Sequence, residues 1–100
     1  MNNVAVYPGT FDPLTLGHLD LIHRSARLFT HLQVAVAALT SKSGAMFSLE
    51  ERLEMVREAV RSLPSVSVAP LDGLLVDFCR RNNIHIVVRG LRAYSDFEYE

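Results

Sequence analysis

The sequence predicts an α/β fold: a doubly wound parallel sheet with helices on both faces. Three observations predict it. Short apolar runs alternate with amphipathic segments along the whole chain. The runs are apolar throughout rather than at every second residue, as strands covered on both faces require. Each run is followed by a turn or loop and then a helical pattern, so successive strands must pair in parallel through right-handed crossovers.

The elements follow in order. Val4 to Tyr7 is the first strand, ended by Pro8-Gly9. Thr10-Phe11-Asp12-Pro13 is a turn-rich loop. A helix is expected from about Gly17 to Phe29, where Leu19, Ile22, Ala26 and Phe29 make one apolar stripe. Leu32 to Leu39 is the second strand, and Thr40 to Phe47 a polar, glycine-containing loop. Ser48 opens the next helix with Glu51 three residues on, a capping box. Leu53, Val56, Val60 and Leu63 form its buried stripe, and Pro64 stops it. Val66 to Ala69 is the third strand. Gly73 to Asn82 is a helix with Leu74, Leu75, Phe78 and Cys79 at helical spacing. Ile84 to Val88 is the fourth strand, Arg89-Gly90-Leu91-Arg92 the loop after it, and a last helix begins near Tyr94 or Ser95. The chain stops at Glu100 in the middle of that helix without a cap, as the N-terminal portion of a longer chain would. Residues 1–100 are expected to form one domain.

Bulk properties narrow the function. Apolar residues are 49% of the 100 and charged residues 21%, an ordinary globular balance. The net charge is −1, from 10 basic and 11 acidic residues. No bulk positive field exists to hold nucleic acid or a membrane surface, so an anionic ligand must be met by a few placed cations. The single cysteine, Cys79, excludes an internal disulfide and reads as a small core residue. No apolar run approaches the roughly 20 residues of a membrane span, and no signal peptide is expected. These features suit a cytoplasmic protein.

In open α/β sheets, ligands bind beyond the carboxyl ends of the strands. The unusual residues cluster in three loops there. In the first, Gly9 would let the backbone approach a ligand, and the Thr10 hydroxyl can donate to a phosphate oxygen. Gly17 and His18 fall at a helix N-terminus, where free N–H groups and the helix dipole suit an anion. The plainer reading is a strand–turn–helix with an exposed His18, but Gly9, Thr10 and the cations of the other loops outweigh it. Lys42 lies in the second loop. Arg89 ends a buried strand, and Arg92 follows across Gly90. Two arginines flanking a glycine suit phosphate, the alternative being structural ion pairs with Asp96 or Glu98. Glu100 shares a helix face with Asp96 and is either solvated, near ribose hydroxyls, or near Mg²⁺.

Other chemistries lack their motifs. No Gly-x-Gly-x-x-Gly or Gly-x-x-x-x-Gly-Lys-Ser/Thr is present, so neither a dinucleotide fingerprint nor a P-loop is indicated. His18, His23, His31 and His85 lack metal-ligand spacing. His23 and His31 read as surface residues, and His85 as a packed or edge side chain. No Gly-x-Ser-x-Gly elbow supports a hydrolase.

Tyr7-Pro8-Gly9-Thr10-Phe11-Asp12-Pro13 followed by Thr15-Leu16-Gly17-His18 resembles the signature of the nucleotidyltransferase superfamily, whose hallmark is (His/Thr)-x-Gly-His. Ser41-Lys42, Phe47-Ser48-Leu49-Glu50-Glu51-Arg52, Arg89-Gly90-Leu91-Arg92 and Asp96-Phe97-Glu98-Tyr99-Glu100 resemble the phosphopantetheine adenylyltransferases more narrowly, across the whole chain. The resemblance implies a Rossmann-like nucleotidyltransferase fold that here lacks its C-terminal part, a fifth strand and a Ser/Thr-rich phosphate motif. It implies adenylyl transfer from ATP to 4′-phosphopantetheine, with Mg²⁺ accompanying ATP, in a cytoplasmic homohexamer. His18, Lys42 and Arg92 would be catalytic. Thr10, Phe11, His18, Gly90, Leu91, Arg92 and Glu100 would line the ATP site. Thr10, Lys42, Leu74, Leu75 and Arg89 would hold phosphopantetheine. The alternatives are a nucleotidyltransferase for another phosphate acceptor, such as nicotinate mononucleotide, and a non-catalytic nucleotide-binding fragment.

Overall fold

The computed structural model describes residues 3–38 and 45–90. Among them the chain runs β1 (Val4–Gly9), α1 (Leu16–Leu28), β2 (His31–Ala37), α2 (Leu49–Ala59), β3 (Val66–Leu71), α3 (Leu75–Arg81) and β4 (Ile86–Val87). The sheet is parallel throughout, in the order β3-β2-β1-β4. The winding proceeds outward from β1 to β3 and then crosses back to place β4 on the other side of β1. The doubly wound α/β expectation therefore holds, and β1 and β4 flank the point where the winding reverses.

Strand alternation divides the core into two layers. Ala5, Tyr7, Leu32, Val34 and Val36 face one way and pack with Ile22 of α1 and with Leu53 and Val56 of α2. Val6, Ala35 and Leu71 face the other way and pack with Phe78 of α3 and with Ile84. Burying a branched or aromatic side chain of this kind contributes about 1.5–3 kcal/mol. The interleaved apolar residues of β1 and β2 thus hold helices on both faces, which is why their runs do not alternate with polar residues.

Several element boundaries differ from the expected ones, each for a local reason. β1 runs on through Pro8 and Gly9, which pair with Ala35 and Val36. The last β1–β4 pair is Val6 with Val87, so the missing Pro8 N–H breaks no ladder bond on that side. β3 likewise continues through Pro70 to Leu71; it has no neighbour beyond it among the described residues, and a sheet edge tolerates proline. α2 stops at Ala59 rather than at Pro64. Val60 leaves the helix at φ −107° and ψ 10°, and the Leu63 N–H closes a turn onto the Val60 carbonyl. Val60 and Leu63 still reach the core. α3 begins two residues late because Gly73 takes φ +92° and Leu74 is extended. β4 pairs only over Ile86–Val87, with one further bond from the Val88 N–H to the Val6 carbonyl. His31 is half-buried rather than on the surface, its Nε2 lying 2.8 Å from Ser67 Oγ. His85 is exposed.

Candidate functional site

The β1–α1 connection is built from short-range bonds. Thr15 is the N-cap of α1, and its hydroxyl accepts the His18 N–H at 3.3 Å. The bond is returned when the Thr15 N–H donates to His18 Nδ1 at 3.0 Å, completing a capping box with histidine in the position usually held by Glu or Gln. A main-chain N–H can only donate. Nδ1 is therefore an acceptor, and the neutral ring carries its proton on Nε2. The helix start thus fixes the tautomer of His18.

Beneath His18 lies an aromatic support. Phe11 is 1% exposed, and its ring meets that of His18 edge-to-face with centroids 4.9 Å apart. Tyr7 packs on Phe11 in the same manner at 5.4 Å. Burial pushes the Tyr7 hydroxyl above its usual pKa, so it stays a neutral phenol at pH 7. Phe11 takes φ 50°, which turns the chain sharply enough to bring its ring back under Gly9. A Cβ on Gly9 would stand 2.9 Å from Phe11 Cζ. The lack of a side chain at Gly9 thus makes room for the Phe11 ring.

These residues open onto a cavity of about 340 Å³ lined by Tyr7, Thr15, Gly17, His18, Asp20, Leu21 and Gly90. It lies at the carboxyl ends of β1 and β4, where the winding reverses. The structure brings His18 and Gly90 together there, from loops 72 residues apart in sequence. Thr10 is exposed at the end of β1, and Arg89 at the end of β4. Phe11 is close by, but its buried ring leaves only its main chain to meet a ligand. Leu74 is 66% exposed, and Leu75 is half-buried, packing against the α3-side core. Lys42, Leu91, Arg92 and Glu100 lie outside the described residues. Among the described residues no group of three or more His, Cys, Asp or Glu side chains forms a metal cage. Asp20, the one carboxylate among the described residues of the cavity wall, bonds Arg24 at 3.1 Å.

Two residues beside the site, Asp12 and Arg52, stand in the sequence motifs quoted above but carried no role of their own there. Asp12 accepts the N–H groups of Met46 and Phe47 at 2.6 and 2.8 Å. Arg52, 1% exposed, donates to the carbonyls of Phe47, Thr10 and Ala37 at 3.1, 3.0 and 2.8 Å. A charged residue one position before Leu53, the start of an apolar stripe, was the available signal for Arg52; nothing in local spacing marks Asp12.

Comparison with known proteins adds to this geometry. A family model described as cytidylyltransferase-like matches residues 6–100. The phosphopantetheine adenylyltransferase of Moorella thermoacetica is 58% identical over 97 residues, which is 97% of this chain and 60% of that protein. The enzyme of the same name from Hahella chejuensis is 53% identical over 98 residues, 98% of this chain and 60% of that protein. The chain therefore spans about 60% of the length of these curated relatives. Among solved structures, a bifunctional NMN adenylyltransferase/ADP ribose pyrophosphatase from Francisella tularensis, complexed with AMP and manganese, superposes with a TM-score of 0.70 at 18% identity, covering 99% of this chain and 40% of that one. A lipopolysaccharide core biosynthesis protein from Thermoplasma volcanium gives 0.71 at 24% identity, covering 94% and 79%. At such identities these two likenesses speak to the fold alone.

Proposed function

The chain belongs to the cytidylyltransferase-like family, and on that premise we propose that the protein joins an adenylyl group from ATP to 4′-phosphopantetheine, yielding dephospho-coenzyme A and pyrophosphate. One observation carries the reading: the cavity at the β1–β4 crossing presents the N-terminus of α1, with Gly17 and His18, beside Gly90 of the next loop. The high identity to proteins named phosphopantetheine adenylyltransferase supports the choice of acceptor.

The chemistry follows from the reactants. An oxygen of the 4′-phosphate attacks the α-phosphorus of ATP, and a new phosphorus–oxygen bond forms. The bond from the α-phosphorus to the bridging oxygen breaks on the opposite side, and pyrophosphate leaves with the electron pair. The nucleophile is already ionised at pH 7, so no strong general base is needed. The protein's task is to align two polyanions and to offset charge as it develops. His18 would donate from Nε2 to an α-phosphate oxygen, helped by the free N–H groups at the start of α1. Thr10 would meet the reacting phosphates. Lys42, Arg89 and Arg92 would offset repulsion between donor and acceptor, Leu91 and Glu100 would complete the ATP site, and Leu74 would rest against the pantetheine arm. Mg²⁺ would enter on the triphosphate, which would supply its oxygen ligands. A homohexameric assembly and a cytoplasmic location complete the proposal. No helix among the described residues is long and apolar enough to cross a membrane.

An acceptor screen tests this reading. Pyrophosphate release from ATP is measured with 4′-phosphopantetheine, nicotinate mononucleotide or no acceptor, on the 100-residue chain and on the protein at its relatives' full length. Release that requires phosphopantetheine is expected from the full-length protein. Release with nicotinate mononucleotide instead would reassign the acceptor. ATP binding with no release from either length would identify a nucleotide-binding module.

A further inference from the structure

Phe47 is bonded through both of its main-chain groups. Its N–H donates to Asp12 Oδ1 at 2.8 Å, and its carbonyl accepts from Arg52 Nε at 3.1 Å. The same guanidinium donates through Nη1 to the Thr10 carbonyl at 3.0 Å and the Ala37 carbonyl at 2.8 Å. Asp12 also accepts the Met46 N–H, at 2.6 Å. The β1–α1 loop is therefore tied to the start of α2 on each side of Phe11, through Thr10 before it and Asp12 after it. Phe11 holds a left-handed backbone conformation that an L-residue adopts only when its surroundings impose it. Its ring is the surface on which His18 rests.

We infer that Arg52 and Asp12 are positioning residues for His18, acting through Phe11. The hydrogen bonds that Arg52 makes to the β1–α1 loop, β2 and the start of α2 all end on main-chain carbonyls, and burying a guanidinium is costly unless it is well bonded. An apolar side chain would fill the same volume more cheaply, but it could not fix three backbone segments at once. The planar fork of arginine reaches carbonyls in different directions, which the compact ammonium of lysine does not match. Asp12 locks the same junction from the opposite side. Loosening either tie lets Phe11 shift, and the His18 ring shifts with it.

The inference rests on the adenylyl-transfer reading for its kinetic consequence, but not for its structural one. The test uses the full-length protein with Arg52→Lys and Asp12→Asn, and reads two quantities. The first is the ring-current-shifted imidazole C–H signals of His18, which report its place over Phe11 whether or not catalysis occurs. The second is kcat and KM for ATP in phosphopantetheine-dependent pyrophosphate release. Both variants are expected to move the His18 signals and to lower kcat on the order of 10- to 100-fold, with KM for ATP nearly unchanged, because a misplaced donor is missed mainly in the transition state. A purely structural role would lower the melting temperature and leave both readings as in the parent. Unmoved His18 signals in a folded variant would overturn the inference. So would unchanged kcat. If Arg52→Lys does not fold, Asp12→Asn decides alone. If the parent releases no pyrophosphate, the functional reading fails, and the imidazole signals still decide whether the brace positions His18.

Discussion

Strands β1 and β4 carry a cavity at each end, and the two have the same volume, about 340 Å³. At the carboxyl ends the walls include Gly17 and His18 at the start of α1, with Gly90 opposite. At the amino ends they include Asn3, Asn82, Asn83 and His85, where α3 finishes. Size does not distinguish the two; helix polarity does. The crossover connections of a parallel sheet send every helix back with its N-terminus at the carboxyl edge. One cavity therefore receives N–H groups and the positive end of a dipole, while the other receives helix carbonyls and the negative end. Asn82 already uses its amide to bond the Phe78 carbonyl at 2.8 Å. On these grounds the first cavity suits an anion better than the second, which is why His18, and not His85, is the phosphate ligand we propose.

Substitutions at the two ends should separate accordingly. The largest effect is expected from His18→Ala. Removing a preorganised donor costs roughly 2.7–4 kcal/mol, about 10²–10³ in kcat, and steady-state kinetics on the full-length protein measure it. The fold should survive, because His18 is only half-buried; near-parental turnover would place the chemistry elsewhere. Next comes Gly9→Ala. Its methyl group would meet the Phe11 ring at 2.9 Å and force it aside. Overpacking of this sort costs about 1–3 kcal/mol, and a thermal or urea melt should show it, with a loss of turnover as His18 loses its support. Thr15→Ala removes the α1 cap. It should cost about 1 kcal/mol of stability and lower kcat by less than His18→Ala does. Thr15→Ser should restore both, since the hydroxyl is the working group. The smallest effect belongs to the amino-end cavity: His85→Ala alters an exposed side chain, and its turnover should stay within about twofold of the parent, a surface change of this kind being worth only a few tenths of a kcal/mol.

Much of this was legible in the sequence because it depends on patterns with short range. The uninterrupted apolar runs named the parallel sheet, and Ser48 with Glu51 named the start of α2, because capping and periodicity act within a few residues. The importance of Gly9 was legible too, but not its reason. The sequence marked Gly9 by its lack of a side chain, while only the structure shows that the Phe11 ring, on a backbone of φ 50°, packs against it. Thr15 read as a motif letter, and only the fold reveals it as the residue that sets the tautomer of His18. Arg52 and Asp12 were least legible. Their partners are backbone groups 42 and 35 residues away at the farthest, and no periodicity encodes a bond to a distant carbonyl. The late start of α3 and the early end of α2 were obscured in a different way, since Gly73 and Pro64 bias the backbone without fixing the residue at which a helix yields.

The most direct test of the account is to map where ATP with Mg²⁺ perturbs the backbone amide signals of the protein. The largest changes are expected on Gly17, His18 and Gly90 at the carboxyl ends of β1 and β4, with Asn82, Asn83 and His85 undisturbed. Changes centred on the amino-end residues, with Gly17 and His18 silent, would contradict the account.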